Sequence, residues 1–283
     1  LPVPPLPEAD CTAEAPRLTI SVTRLEQLSP ALLELGCPAR VYIPLEEVSR
    51  LESLPGEGPE WCAVLPRVWR DRDEPALRTL LERARALGFT GVLIGNLGHL
   101  PLVRGLNFHL YGDYGLNVFN SRSLAYLKDK ELESACVSFE LRFAQIRDLK
   151  KVLRAEAIVY GRLPLMITEN CLVQNETGCR LDRQGPCVPE DGPCRCGQPN
   201  VLVDRTGAAF PLLPAYGHRT EIQNSKPLYL ADRPEHRRLG LAYARLRFTT
   251  ETAEECVSVV QNYLDAAPAA GDFTRGLYER GVE

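Results

Sequence analysis

Segments that read as β-strands alternate with helix-forming segments along most of this 283-residue chain, and that alternation constrains the fold more than any other feature. β-Branched or apolar runs stand at 18–22, 40–43, 61–65, 91–95, 108–111, 135–139, 156–160 and 242–247. Between them apolar residues recur at helical spacing, over 24–35 up to Gly36, over 45–54, and over 73–87 between Asp73-Glu74-Pro75 and Gly88. Shorter helices are expected at 100–104, 121–127 and 143–153, and an amphipathic one at 252–264. Parallel strands need long crossovers, which helices supply. Eight such units predict an α/β fold, a closed (β/α)8 TIM-like barrel. No Gly-rich dinucleotide loop follows the first strand, which disfavours an open doubly wound sheet. The pattern breaks once, for some eighty residues after strand seven, too long a stretch for a structureless loop. Residues 17–164 and 241–283 are therefore expected to form the barrel, and residues 165–240 a cysteine-containing lobe between strands 7 and 8.

Charge narrows the function classes. Lys and Arg number 33 against 37 Asp and Glu, a net charge of −4, which argues against a protein-wide basic surface for nucleic acid and leaves a local patch open. Apolar runs fall far short of the roughly 18 residues that cross a bilayer, and no basic-then-apolar leader opens the chain. No membrane partner and a cytoplasmic location are expected. Met166 is the only methionine, and residues 1–16 begin Leu1-Pro2-Val3-Pro4-Pro5 like an extended linker. The chain is thus expected to be a domain of a longer polypeptide, with that parent's N-terminal domains as partners.

In a barrel the working face lies at the C-terminal ends of the strands. Polar residues expected there are Asn96 and His99, then Asp113, Tyr114, Asn117 and Asn120, then Ser138, Glu140 and Arg142. Tyr160, Arg162, Arg245 and Arg247 complete the rim. Asn117, Asn120, Glu140, Arg162 and Arg245 are the candidate substrate-binding residues, converging on a pocket for an anionic or hydroxylated ligand. Helix and turn capping is the competing role for the Asn and Asp residues. His109 reads as a core or lumen-facing histidine. No Ser-His-Asp order, nucleophile elbow or His-Glu-x-x-His helix is visible, so no catalytic residue is assigned.

The cysteines divide into two groups. Cys11, Cys37, Cys62, Cys136 and Cys256 are scattered and read as small buried hydrophobes. Cys171, Cys179, Cys187, Cys194 and Cys196 crowd into residues 171–196, directly after the rim of strand seven, with Gly178, Gly185, Gly192 and Gly197 beside them. Thiolates gathered in a reducing compartment suit a metal, either tetrahedral zinc or a [4Fe-4S] cluster. Spacing leaves both open, since there is neither a paired Cys-x-x-Cys nor a ferredoxin run. Cys171 and Cys179 are expected ligands with two of the other three, and His218 is a reserve ligand.

From about residue 90 onward, a series of motifs resembles the collagenase-like peptidase family, peptidase family U32. They are Leu116-Asn117-Val118-Phe119-Asn120-Ser121, Ser138-Phe139-Glu140-Leu141, Tyr160-Gly161-Arg162-Leu163-Pro164-Leu165-Met166 leading to Cys171, Asp204-Arg205-Thr206-Gly207-Ala208-Ala209-Phe210-Pro211, and Phe273-Thr274-Arg275-Gly276. The resemblance implies a barrel with a cysteine-bound cluster near its mouth, and this chain is similar to the C-terminal barrel region of long members. It also implies either peptidase activity or, as in the iron–sulfur relatives, oxygen-independent hydroxylation of RNA bases or of small aromatic substrates. A non-catalytic barrel with structural zinc is the third expectation. Two features depart from the family pattern. Its Glu-Gly-Arg in strand eight is replaced by Ala244-Arg245-Leu246-Arg247, and five cysteines stand where four are needed.

Overall fold

The computed structural model of the protein describes residues 5–8, 10–177 and 198–281. Its first seven strands are β1 (Arg17–Ser21), β2 (Arg40–Pro44), β3 (Glu60–Val64), β4 (Gly91–Ile94), β5 (His109–Gly112), β6 (Ser134–Cys136) and β7 (Arg154–Gly161), each pairing in parallel with the next. Four antiparallel strands follow in a separate sheet: β8 (Pro164–Thr168), β9 (Asn200–Val203), β10 (Ala209–Ala215) and β11 (Arg219–Gln223), in the order β8-β11-β10-β9. The two-residue β12 (Leu228–Tyr229) returns antiparallel to β7. Strand β13 (Tyr243–Arg247) then inserts in parallel between β7 and β1 and closes the eight-stranded barrel. Both the barrel and its single interruption are as the sequence pattern predicts. After the lobe sheet the chain runs back along the barrel, and Leu228, Leu230, Leu239 and Leu241 join its main apolar core.

The crossovers contain α1 (Pro30–Gly36), α2 (Leu45–Val48), α3 (Glu74–Leu87), α4 (His99–Val103), α5 (Ser121–Asp129) and α6 (Phe143–Asp148). Helix α7 (Leu172–Thr177) belongs to the lobe, and α8 (Ala253–Leu264) covers the last strand. Local chemistry fixes their ends. Pro75 sits in the first turn of α3, and Gly88 ends that helix in the left-handed region. Thr252 and Glu255 form a reciprocal capping box on α8, whose Cys256, Val260 and Tyr263 face inward. Three helices are shorter than their periodicity predicts. The 24–35 stretch divides into a 3-10 turn at Leu25–Gln27 and α1, because Ser29 accepts from the Leu32 N–H and starts a new helix ahead of Pro30. Beyond α2, Arg50 and Leu51 bond three residues back, to Glu47 and Val48, and the chain leaves the helix towards Pro55. Beyond α6, the buried Lys151 ammonium donates to the carbonyls of Ile146 and Arg147, so the open helix end is satisfied without another turn.

The barrel interior departs from the branched aliphatic packing usual for this architecture. Near the strand N-termini the Arg40 guanidinium lies between the rings of Tyr111 and Tyr243, 3.6 and 4.1 Å from their centroids. It also pairs with Glu60 at 2.9 Å and donates to Ser134 and to the Tyr243 hydroxyl. Gly91 makes room for this stack, since a Cβ there would stand 2.5 Å from the Cys62 sulfur and 2.8 Å from the Tyr111 ring. A polar plug thus seals the lower end, and the open chemistry is left to the upper end.

Candidate active site at the barrel mouth

One arginine organises the centre. Arg245 on β13 is 1% exposed, and its guanidinium bridges two carboxylates. It donates to Asp113, just past β5, at 2.6 Å, and to Glu156 on β7. Tyr42 lies beneath it, with its ring centroid 4.5 Å from the guanidinium carbon. The hydroxyls of Thr19 and Tyr42 donate to Glu156 at 2.5 and 3.2 Å, so its remaining lone pairs are served. Burial holds the Tyr42 phenol well above its usual pKa and keeps it a neutral donor. Burial alone would lower the Arg245 guanidinium, yet Glu156 and Asp113 hold it well above its ordinary value. Its Nε makes no hydrogen bond among the described residues.

A bulge aims this part of the barrel. Pairing passes from Arg245 opposite Ile158 to Leu246 opposite Tyr160, leaving Val159 without a partner across the ladder. Tyrosine hydroxyls from outside the barrel take up the carbonyls there, Tyr278 on Ile158 at 2.6 Å and Tyr263 on Val159. Gly161 follows with φ +116, and a Cβ on it would lie 2.0 Å from the Arg247 carbonyl oxygen. Close approach and positive φ both require glycine.

Above Arg245 the lobe reaches into the mouth. Glu221 on β11 accepts from Arg67, after β3, at 3.0 Å and from Arg247 at 3.1 Å. Gln223 donates to Glu221 at 2.8 Å and accepts from Arg247 at 2.8 Å, while the Tyr114 hydroxyl lies 3.4 Å from Glu221. Three arginines (67, 245, 247) therefore meet three carboxylates (113, 156, 221), so the charges at the centre of the mouth are matched. Between lobe and barrel lies an open cleft of about 2320 Å³, lined by Tyr114, Arg67, Arg245 and Arg247 from the barrel and by Cys171, Tyr216 and Glu221 from the lobe. Nearly every carboxylate on its walls has an arginine partner: Glu26 and Glu47 have Arg50, Asp73 has Arg72, Asp113 has Arg245, Glu169 has Arg70 and Arg219, and Glu221 has Arg67 and Arg247. Glu46, also on the cleft wall, has none among the described residues.

The five substrate-binding candidates are not brought together. Arg245 borders the cleft. Arg162 instead donates to the carbonyls of Asn224 and Ser225 and holds the return chain. Asn117 is the left-handed residue ending a 3-10 turn over 114–116. Asn120 caps α5, accepting from the Ser123 N–H at 3.0 Å, and borders a separate shallow depression with Tyr126. Glu140 is half-buried, and its backbone N–H approaches the Ser138 hydroxyl at 3.4 Å. Capping thus accounts for both asparagines. His109 is exposed at the strand N-terminus and pairs with Glu133, outside core and lumen alike. His99 is fully buried; its Nδ1 accepts from the Gly95 N–H at 3.2 Å and its Nε2 lies 3.1 Å from the Pro66 carbonyl, which assigns the proton to Nε2.

Of the metal-ligand candidates, Cys171 is described, while Cys179, Cys187, Cys194 and Cys196 lie outside the described residues. Cys171 is 7% exposed on the cleft wall at the start of α7, and its sulfur receives the Gln174 N–H at 3.4 Å. A soft sulfur with an amide N–H directed at it fits a cluster or zinc ligand. Among the described residues no group of three or more His, Cys, Asp or Glu is gathered in metal-binding geometry.

Sequence reasoning missed Glu156, Tyr42, Arg67 and Glu221. The first carried a signal, a lone acid inside the apolar run Ala155-Glu156-Ala157-Ile158-Val159, which burial makes costly without a cation opposite. Glu221 carried none, because its partners come from strands far away in the chain.

Fold and mouth together define a closed parallel β/α barrel whose C-terminal end opens into a polar cleft beneath an antiparallel lobe. The profile of Peptidase family U32 matches residues 54–200, slightly more than half of the chain, and the chain belongs to that family. Among solved structures the chain is similar to the U32 peptidase Mk0906, with 9% identity and a TM-score of 0.45 over 84% of this chain and 95% of that one. It is also similar to a protein assigned as a deoxyribose-phosphate aldolase from Coccidioides immitis, with 12% identity and a TM-score of 0.33 over 54% and 78%. Curated proteins offer no significant match.

Proposed function

We propose that the chain is the cluster-bearing barrel of a U32-family enzyme and that the cleft between mouth and lobe takes a neutral, hydrogen-bonding aromatic ligand, an RNA base or a small hydroxylated ring. The observation that carries this reading is the charge-balanced mouth, where Arg67, Arg245 and Arg247 are matched by Asp113, Glu156 and Glu221. At these three arginines a free anion would have to displace one of those carboxylates, whereas a neutral ring can use the Tyr114 and arginine faces and the surrounding donors and acceptors. Cys171 and Cys179, with two of Cys187, Cys194 and Cys196, would hold a [4Fe-4S] cluster beside the cleft. Such a group supplies one-electron redox chemistry. Zinc held by the same thiolates is the alternative cofactor. Peptidase chemistry finds less support: His99 and His236 are buried with ring nitrogens on backbone carbonyls, His109 stands at the opposite end of its strand, and none of these three lines the cleft. Calorimetric titration of the anaerobically purified chain with nucleosides and with hydroxybenzoates tests the ligand class. Binding of either, weakened at least tenfold by Tyr114→Ala, is expected. A preference for polyanions or peptides over both would overturn the reading.

A further inference from the structure

We propose that Glu46 is the proton-transfer group of this cleft, its carboxyl giving a proton to, or taking one from, an oxygen or nitrogen of a neutral ligand held between the barrel mouth and the β10–β11 hairpin. The proposal rests on the reading of the cleft as a ligand site and adds a chemical role to it. Glu46 sits in the first turn of α2, directly after β2, at the barrel end where this architecture keeps its chemistry. Every other carboxylate lining the cleft has an arginine partner, which commits its lone pairs. Glu46 is free of that restraint in a wall crowded with arginines. Among the described residues its carboxyl is met only by its own backbone N–H.

The surroundings favour a carboxyl that exchanges its proton. Burial raises Glu46 to about 7; its own N–H opposes the shift and the neighbouring Glu47 adds to it. Glu47 itself is held by Arg50 and by the Leu25 N–H. From the lobe, Tyr216 at the hairpin tip faces this region, and burial, then Asp73 and Glu46, push its phenol up, while Arg219 and Arg72 pull it down. Near neutrality both forms of Glu46 are therefore populated, the condition under which general acid–base transfer works best. In the forward step the carboxylic O–H bond breaks, its electron pair stays on Glu46, and the proton forms an O–H or N–H bond on the ligand. The reverse step regenerates the acid.

The test is a carbon-13 NMR titration of the whole chain labelled at the glutamate carboxyl carbon. One resonance is expected to titrate within about a unit of pH 7, to be missing from Glu46→Gln, and to shift its midpoint when a nucleoside or hydroxybenzoate is bound. A water-soluble diazo amide, which esterifies protonated carboxyls, gives the same information without a variant. Glu46 should be labelled at about pH 6 and spared at about pH 9. A midpoint near the ordinary glutamate value of 4.5, or a midpoint unmoved by a ligand that does bind, overturns the proposal. Failure of both ligand classes to bind while the midpoint stays near 7 overturns the ligand reading alone.

Discussion

Replacing Arg245 with methionine isolates the energetic centre of the barrel mouth. The guanidinium is 1% exposed and makes two charge-assisted hydrogen bonds, at 2.6 Å to Asp113 and to Glu156, over the face of Tyr42. Methionine fills much of the volume, so the loss comes from the charges left behind. Glu156 would keep the Thr19 and Tyr42 hydroxyls, and Asp113 the Tyr114 N–H at 2.9 Å, with no cation for either. Breaking a buried pair from one side costs about 3–5 kcal/mol. For a chain of this size that corresponds to a fall in Tm on the order of 10 °C. The triple variant Arg245→Met, Glu156→Gln, Asp113→Asn removes all three charges and should recover at least half of the loss, because a neutral core carries no unpaired ion. Urea unfolding of both proteins at neutral pH measures this. An Arg245→Met loss below about 1 kcal/mol, or a triple variant no more stable than the single one, would refute the reasoning.

Other regions make separate demands. Burial lowers His99 to about 4 from 6.5, so its contribution is fully present above pH 6.5 and is lost as pH falls through 4; wild type should lose about 3 kcal/mol more than His99→Gln over that window by urea titration. Glu46, shifted upward, works in the opposite direction between pH 4.5 and 7, so the His99 effect is read as the difference between the two proteins. Gly161→Ala should cost more than about 3 kcal/mol or abolish soluble expression, since its Cβ meets the Arg247 carbonyl and φ is positive; circular dichroism melting checks it. Glu221→Ala leaves Arg67 and Arg247 without their shared carboxylate, costs roughly 1.5–3 kcal/mol, and should raise hydrogen exchange across β10 and β11 before the barrel opens.

What could be read from the sequence followed the range of the interactions involved. Strand runs and the Pro75, Gly88 and Thr252 signals are local, and the barrel with its one interruption follows from them. Helices α2 and α6 end early through tertiary chemistry that periodicity does not contain, the buried Lys151 ammonium being the clearer case. At the site, Arg245 was legible as an arginine pair on a short strand. Asn117 and Asn120 were drawn into the pocket by position, and their capping role, equally visible in their residue type, is what the fold uses. The partners that give Arg245 its meaning, Asp113 and Glu156, are 132 and 89 residues away in the chain, and only barrel closure brings them together.

The central claim, a cysteine-held cluster beside a polar barrel cleft, is tested most directly by iron and sulfide analysis of the anaerobically purified chain beside its Cys171→Ser variant. About four iron and four sulfide per chain, with a brown colour lost in the variant, is the expected result. A colourless protein without iron, or iron unchanged by Cys171→Ser, would contradict it.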